Sequence, residues 1–268
     1  MAEYKMGFIG TGNMGSALAR AAAKSGERML LVNRTPEKAE ALAAVLGAKV
    51  GTNLQAAAAC EYIFLGVKPQ MLPALLDELR PALLERTDRF LLVSMAAGVK
   101  TGTIRQALGF DCPVVRIMPN LPVALGKGVV LISPDDTVTE DELTALEEAL
   151  KPAGLLMRMP EDKLDAGSAV SGCGPAWVYQ FIEALADGGV ACGLPRAKAQ
   201  EYAAQMVLGS AKLVLESGRH PGELKDAVCS PGGSTIQGVR VLEEHGFRGA
   251  VTDAVIAAYD KTKEMGKG

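Results

Sequence analysis

Residues Gly7-Phe8-Ile9-Gly10-Thr11-Gly12-Asn13-Met14-Gly15 join an apolar strand to a G-x-G-x-x-G turn, and an alanine-rich helix is expected from Ser16 to residue 24. This spacing suits the pyrophosphate of a dinucleotide. Gly10 permits the tight turn, Gly12 lets the backbone approach phosphate, and Gly15 lets the helix lie close on the strand. Free N–H groups and the positive end of the helix dipole then face the anion, with Thr11, Asn13 and Met14 filling the turn.

The second strand, Met29-Leu30-Leu31-Val32, ends in Asn33-Arg34-Thr35-Pro36. An NAD-dependent enzyme would carry Asp or Glu here, about twenty residues past the fingerprint, for the ribose 2′-hydroxyl. Asn33, Arg34 and Thr35 bring no acid and one guanidinium, so NADPH is expected as cofactor and NADH as the weaker alternative. Thr35 can also serve as N-cap of the following helix, with Pro36 as its first residue. Three further strand ends carry unusual sequence: Val67-Lys68-Pro69, Ala96-Ala97-Gly98 and Pro119-Asn120-Leu121-Pro122. Small residues and prolines there let a flat nicotinamide approach the backbone, and Asn120 is expected to bond its carboxamide. Lys68 is read as a phosphate or electrostatic contact, and Asn53 joins the expected cofactor contacts.

A second constellation lies far along the chain, at Cys229-Ser230-Pro231-Gly232-Gly233-Ser234-Thr235. Two glycines and a proline between helices free successive N–H groups at a helix start, a nest suited to a carboxylate. Ser230, Ser234 and Thr235 add hydroxyls without charge. Taken alone, the segment is also a serviceable helix–helix connection capped by Gly233 or Ser234.

The elements that must hold these residues follow from hydrophobic pattern. Apolar runs at 6–10, 29–33, 62–67, 89–94, 113–118, 128–132 and 154–158 alternate with helical stretches, which predicts a Rossmann-type doubly wound parallel sheet over residues 1–160. Thr139 and Glu142 form a capping box opening the last helix of this part. From 161 to 268 only helices are expected, near 161–170, 175–192, 196–216, 222–228, 235–244 and 248–264. The fold class is therefore α/β, with a dinucleotide-binding domain followed by an all-helical dimerisation and substrate-binding domain. Within that domain Gly188-Gly189 suggests close helix packing across a dimer. Trp177 reads as core or interface, and His220, just before Pro221, as a loop or cap residue.

Composition narrows the function. The chain has 268 residues, 49% of them hydrophobic, and a net charge of −3, which argues against nucleic-acid or anionic-membrane binding. No apolar run has the length of a membrane span, and the chain enters a strand at once where a secretory leader would begin. Five scattered cysteines without C-x-x-C spacing suit a reduced, cytoplasmic setting. Two histidines make a His-based metal centre improbable, and no metal is expected.

Read together, these segments resemble the pyrroline-5-carboxylate reductase family over nearly the whole chain. The likeness runs through Gly7-Phe8-Ile9-Gly10, Val67-Lys68-Pro69, Ala96-Ala97-Gly98 and Ser171-Gly172-Cys173-Gly174-Pro175. It continues through Ala184–Val190, Gly193-Leu194-Pro195, His220-Pro221-Gly222, Leu224-Lys225-Asp226 and Ser230-Pro231-Gly232-Gly233. The resemblance implies NAD(P)H-dependent reduction of the cyclic imine 1-pyrroline-5-carboxylate to L-proline, the last step of proline biosynthesis. It implies a homodimer through an intertwined helical domain, often assembled further into decamers, with substrate between subunits. It also implies that the Thr235 hydroxyl bonds the ring nitrogen, while Ser230, Gly232, Gly233, Ser234 and Thr235 hold the carboxylate. Cys173 stands where the family often has Ser, and Ala227 where some members have Asn. A β-hydroxyacid dehydrogenase shares the two-domain plan, but the helix after Gly174-Pro175 lacks the lysine that family uses. A nucleotide sensor without turnover is the alternative from another class, and the intact Ser230–Thr235 loop counts against it.

Overall fold

The computed structural model describes residues 2–266 and divides into two units, one running up to Cys173 and resuming at Ala257, the other spanning Gly174–Ile256. The first unit is built on an eight-stranded sheet: β1 (Tyr4–Ile9), β2 (Met29–Val32), β3 (Lys49–Val50), β4 (Cys60–Leu65), β5 (Leu91–Ser94), β6 (Val114–Pro119), β7 (Gly128–Pro134) and β8 (Gly154–Arg158). Their order across the sheet is β3-β2-β1-β4-β5-β6-β7-β8, and every neighbouring pair is parallel except β6–β7. Seven of these strands fall on the apolar runs. The eighth, β3, is two exposed residues long and too short to show a hydrophobic pattern. The antiparallel β6–β7 pair departs from the expected all-parallel sheet. Only residues 120–127 separate the two strands, too few for the helical crossover that a parallel pair needs.

Helices cover both faces. Met6, Phe8, Leu31, Tyr62, Phe64, Val93, Val115 and Ile117 point to one face and pack with α1 (Asn13–Ala22), α2 (Pro36–Leu46) and α6 (Glu140–Leu150). Ile9, Val32, Ile63, Leu65, Leu92 and Val114 point to the other and pack with α3 (Asn53–Ala59), α4 (Leu72–Leu84) and α5 (Thr101–Leu108). The near-continuous apolar character of each strand is what a sheet covered on both sides requires. Phe8 and Phe64 stack at 4.3 Å between centroids, locking β1 to β4. The Thr139–Glu142 capping box is present at the start of α6.

Strand character ends at Arg158, as the sequence predicts, and every later element among the described residues is a helix. Helix α7 (Glu161–Ser171) nevertheless belongs to the sheet-bearing unit. Three tethers hold it there. The Glu161 carboxylate accepts from the Thr101 N–H at 2.7 Å, the Arg116 Nη2 donates to Asp165 at 2.5 Å, and the Asn120 Nδ2 donates to the Ser171 carbonyl at 2.9 Å. Arg116 is fully buried, and its Nε and Nη1 have no partner among the described residues. Removing Asp165 would thus leave an uncompensated buried cation, a loss of roughly 3–5 kcal/mol.

The second unit consists of α8 (Gly174–Ala191), α9 (Arg196–Ser217), α10 (Pro221–Ala227), α11 (Ser234–Glu244) and the first half of α12 (Phe247–Met265). Helices α8 and α9 pack closely where a side chain at Gly189 would stand 3.1 Å from the Ala199 methyl. Gly189 therefore serves contact within the chain, whereas Gly188 faces open space.

Candidate active site

The parallel register brings the carboxyl ends of β1, β2, β4, β5 and β6 to one edge of the sheet, where open α/β folds bind ligands. Gly10 lies at the centre of that edge. Its N–H donates to the Val32 carbonyl at 2.9 Å, and its φ of +95° is open to glycine at little cost. A Cβ at Gly10 would meet the Gly66 carbonyl at 2.6 Å, and one at Gly15 would meet the Gly10 carbonyl at 2.1 Å. Gly12 has nothing within 4 Å of its Cβ direction and caps α1. Helix α1 starts at Asn13, three residues before the sequence-based expectation, so Gly15 is inside its first turn. That shift brings the helix N-terminus nearer the turn. The Thr11 hydroxyl is buried without a partner among the described residues. A closely crossed turn, an open side at Gly12 and an orphaned hydroxyl fit a dinucleotide pyrophosphate.

At the end of β2 the Asn33 Nδ2 donates to the Thr35 carbonyl at 3.0 Å, shaping the turn. Thr35 takes the N-cap position of α2 but its side chain makes no capping bond. Arg34 is exposed and has no ion pair or side-chain hydrogen bond among the described residues. Both groups are therefore free to meet a phosphate. Lys68, three residues past the end of β4, is likewise exposed and without an ion pair among the described residues. Ala96, Ala97 and Gly98 follow β5, with Gly98 at a φ of +74°.

Two expected cofactor contacts are engaged elsewhere. The Asn53 Nδ2 donates to the Glu78 carboxylate at 2.9 Å, tying α3 to α4. Asn120 is buried and both ends of its amide are used: Oδ1 accepts from the Val129 N–H at 2.9 Å and Nδ2 donates to the Ser171 carbonyl. Asn120 thus joins β6, β7 and α7, and the geometry shows it as a clamp rather than an open carboxamide partner. Its position at a strand end looks the same in sequence for either role.

In the second unit, Gly232 takes a φ of +69° and the Gly233 N–H donates to the Ser230 carbonyl at 3.0 Å. Gly233 is the N-cap of α11, so Ser234 and Thr235 are its first two residues. Thr235 therefore does not cap the helix, and its hydroxyl is exposed without a partner among the described residues. The loop has the form expected of an anion nest at a helix start. His220 caps α10, its Nδ1 accepting from the Gly222 N–H at 3.1 Å. Cys229 is half-buried, and all five cysteines are free.

Comparison with known proteins agrees with this arrangement. Residues 161–265 match the family described as pyrroline-5-carboxylate reductase dimerisation, and residues 5–98 match NADP oxidoreductase coenzyme F420-dependent. The pyrroline-5-carboxylate reductase of Escherichia coli is 40% identical over 270 positions, with 99% of each chain covered. That of Methanosarcina acetivorans is 42% identical over 278 positions, with both chains covered completely. The chain belongs to the pyrroline-5-carboxylate reductase family. Solved reductases of this family share its fold. The Plasmodium falciparum enzyme, determined with NADP bound, superposes with a TM-score of 0.89 at 32% identity over 99% of each chain. The Streptococcus pyogenes enzyme does so at 0.87 and 30%, over 97% of this chain and 98% of that one.

Membership makes the chain an oxidoreductase with a family dimerisation region, and no helix among the described residues is long and apolar enough to cross a membrane. The two family-atypical residues have ordinary surroundings. The Cys173 N–H donates to the Ser168 carbonyl, and Ala227 ends α10. Gly66 escaped sequence reasoning, although a glycine directly after an apolar strand was the available signal. A Cβ there would stand 2.6 Å from the Gly10 carbonyl, so the cradle depends on a glycine just after each of β1 and β4.

Proposed function

We propose that the chain reduces 1-pyrroline-5-carboxylate to L-proline, closing proline biosynthesis, with NADPH preferred over NADH. Gly10, Thr11, Gly12, Asn13, Met14 and Gly15 hold the pyrophosphate through backbone N–H groups, while Arg34 and Thr35 pair with the 2′-phosphate. Val67, Lys68, Pro69 and Ala96–Gly98 line the nicotinamide side. Bound there, the cofactor supplies a hydride for the C=N carbon. Ser230 and the N–H groups of Gly233, Ser234 and Thr235 orient the substrate carboxylate, and the Thr235 hydroxyl bonds the ring nitrogen.

A protonated imine is already electrophilic, so the protein's task is positioning rather than strong acid catalysis. That explains a loop furnished with amides and hydroxyls and no carboxylic acid or histidine of its own. The observation that carries the substrate assignment is the exposed, unpartnered Thr235 at the second position of α11, beside the nest. The active species is a homodimer, with assembly to a decamer as the larger form, working in the reduced cytoplasm. Following NADPH oxidation at 340 nm with 1-pyrroline-5-carboxylate tests the reading. Substrate-dependent oxidation with proline as product is expected, and oxidation indifferent to the imine would overturn it.

A further inference from the structure

The chain's last described residues cross the loop that follows β5. Gly98 and Gly266 meet backbone to backbone. A Cβ at Gly266 would stand 2.2 Å from the Gly98 carbonyl oxygen, and one at Gly98 would stand 2.8 Å from the Gly266 nitrogen and 2.7 Å from the Thr262 carbonyl. Neither position has room for a side chain. The Gly266 N–H donates back to the Thr262 carbonyl at 3.3 Å, so the crossing is made by the closing turn of α12. The same turn borders a cavity of about 480 Å³ whose walls include Pro69 and Gln70 after β4, Val99 and Thr103 after β5, and Met265. The end of α12 thus meets the loop after β5 directly and faces the loop after β4 across this cavity.

We propose that the closing turn of α12, through Gly266, is a positioning element for the nucleotide-binding edge: it fixes the Ala96–Gly98 loop in its binding-competent form. This rests on the assignment of that loop to the cofactor. The physical basis is local. Gly98 sits at a φ of +74° that glycine leaves readily, and among the described residues its close neighbours are the backbone of Thr262 and Gly266. A loop freed from that contact samples other conformers, and the apparent Kd rises as the competent fraction falls.

The test uses the full-length assembled protein and two variants, Gly266→Val and a chain ending at Met265. Amide exchange at Ala97 and Gly98 is measured without nucleotide, and the NADPH Kd by calorimetry. Exchange at those amides should quicken by about tenfold, as expected when a local contact opens. The NADPH Kd should rise by roughly fivefold, with oligomeric state and Tm close to those of the parent. Ala97→Leu, on the loop itself, separates the two readings. If Ala97→Leu weakens NADPH and Gly266→Val does not, the positioning role is wrong while the loop assignment stands. If neither variant changes the NADPH Kd, the loop assignment has failed. Unchanged amide exchange in both C-terminal variants also overturns the proposal.

Discussion

Two side chains bear most of the proposed chemistry, and each is testable by its hydroxyl or charge. Thr235→Ala should lower kcat/KM for the imine about five- to a hundredfold, the loss of one hydrogen bond worth roughly 1–3 kcal/mol. Because Gly233 is the cap of α11, the Tm of this variant should stay near that of the parent, and Thr235→Ser should keep most of the activity. A Thr235→Ala enzyme with normal kcat/KM would remove the residue from the reaction. Arg34→Ala should erode the preference for NADPH, since a charge-assisted contact to phosphate contributes about 1.5–3 kcal/mol. Steady-state kinetics with both cofactors decide this one; equal losses with NADPH and NADH would detach Arg34 from the 2′-phosphate. The cysteines offer a contrast in the same terms. Burial pushes the Cys60 and Cys112 thiols up to about 12, so neither supplies thiolate at neutral pH.

Secondary elements are held by polar contacts whose strength depends on pH. Burial alone would raise the Glu142 carboxyl, but the hydrogen bonds from Arg89 and Thr139 outweigh it and hold the group below the usual carboxylate range. A carboxyl depressed in the folded state adds stability above its unfolded value, near pH 4, and loses it as pH falls through the folded value. Glu142→Gln should therefore cost about 1 kcal/mol at pH 7, allowing for the exposure of Arg89, and progressively less below pH 4. Urea denaturation at pH 7 and pH 3.5 would show the difference; a cost independent of pH would mean that the carboxylate charge is not what holds the start of α6. The same capping box was legible in sequence as Thr139 and Glu142 three residues apart. The Arg89 partner was not, being 53 positions away.

At the scale of the molecule, the two units differ in how they are stabilised. The first has an extensive core on both faces of its sheet. In the second only Ala186, Ala199 and Ala203 are buried apolar residues among those described, while Tyr202, Leu208, Leu213 and Leu215 stand exposed. Helices left with so much apolar surface need a partner, as the family's dimerisation region provides. The active species should accordingly sediment and scatter light as a dimer or larger. Its Tm should also rise with protein concentration, because subunit association stabilises the folded state by mass action. A fully active monomer in light scattering would contradict this.

The order and type of nearly every element were readable from the chain alone, because strand and helix repeats, Gly10-x-Gly12-x-x-Gly15 and the Thr139 cap act over a few residues. The loop from Ser230 to Thr235 was legible for the same reason, as a glycine pair feeding a helix. What the sequence left open was decided by distant contacts. Whether Thr235 caps a helix or keeps its hydroxyl free depended on where α11 begins, whereas Thr35 sits at the N-cap of α2 as read and only its side-chain geometry left the capping bond unmade. Asn120 reads identically as a ligand contact or a clamp until Val129 and Ser171 are brought beside it. The buried Arg116 shows no periodic signal, since its place in β6 is tenable only with Asp165 delivered 49 residues later by α7. Gly98 looks like an ordinary turn glycine, and only the return of α12 supplies the backbone that leaves no space for a side chain. Local patterns specify elements, whereas close approach between elements is a property of packing and becomes visible only once the chain has folded.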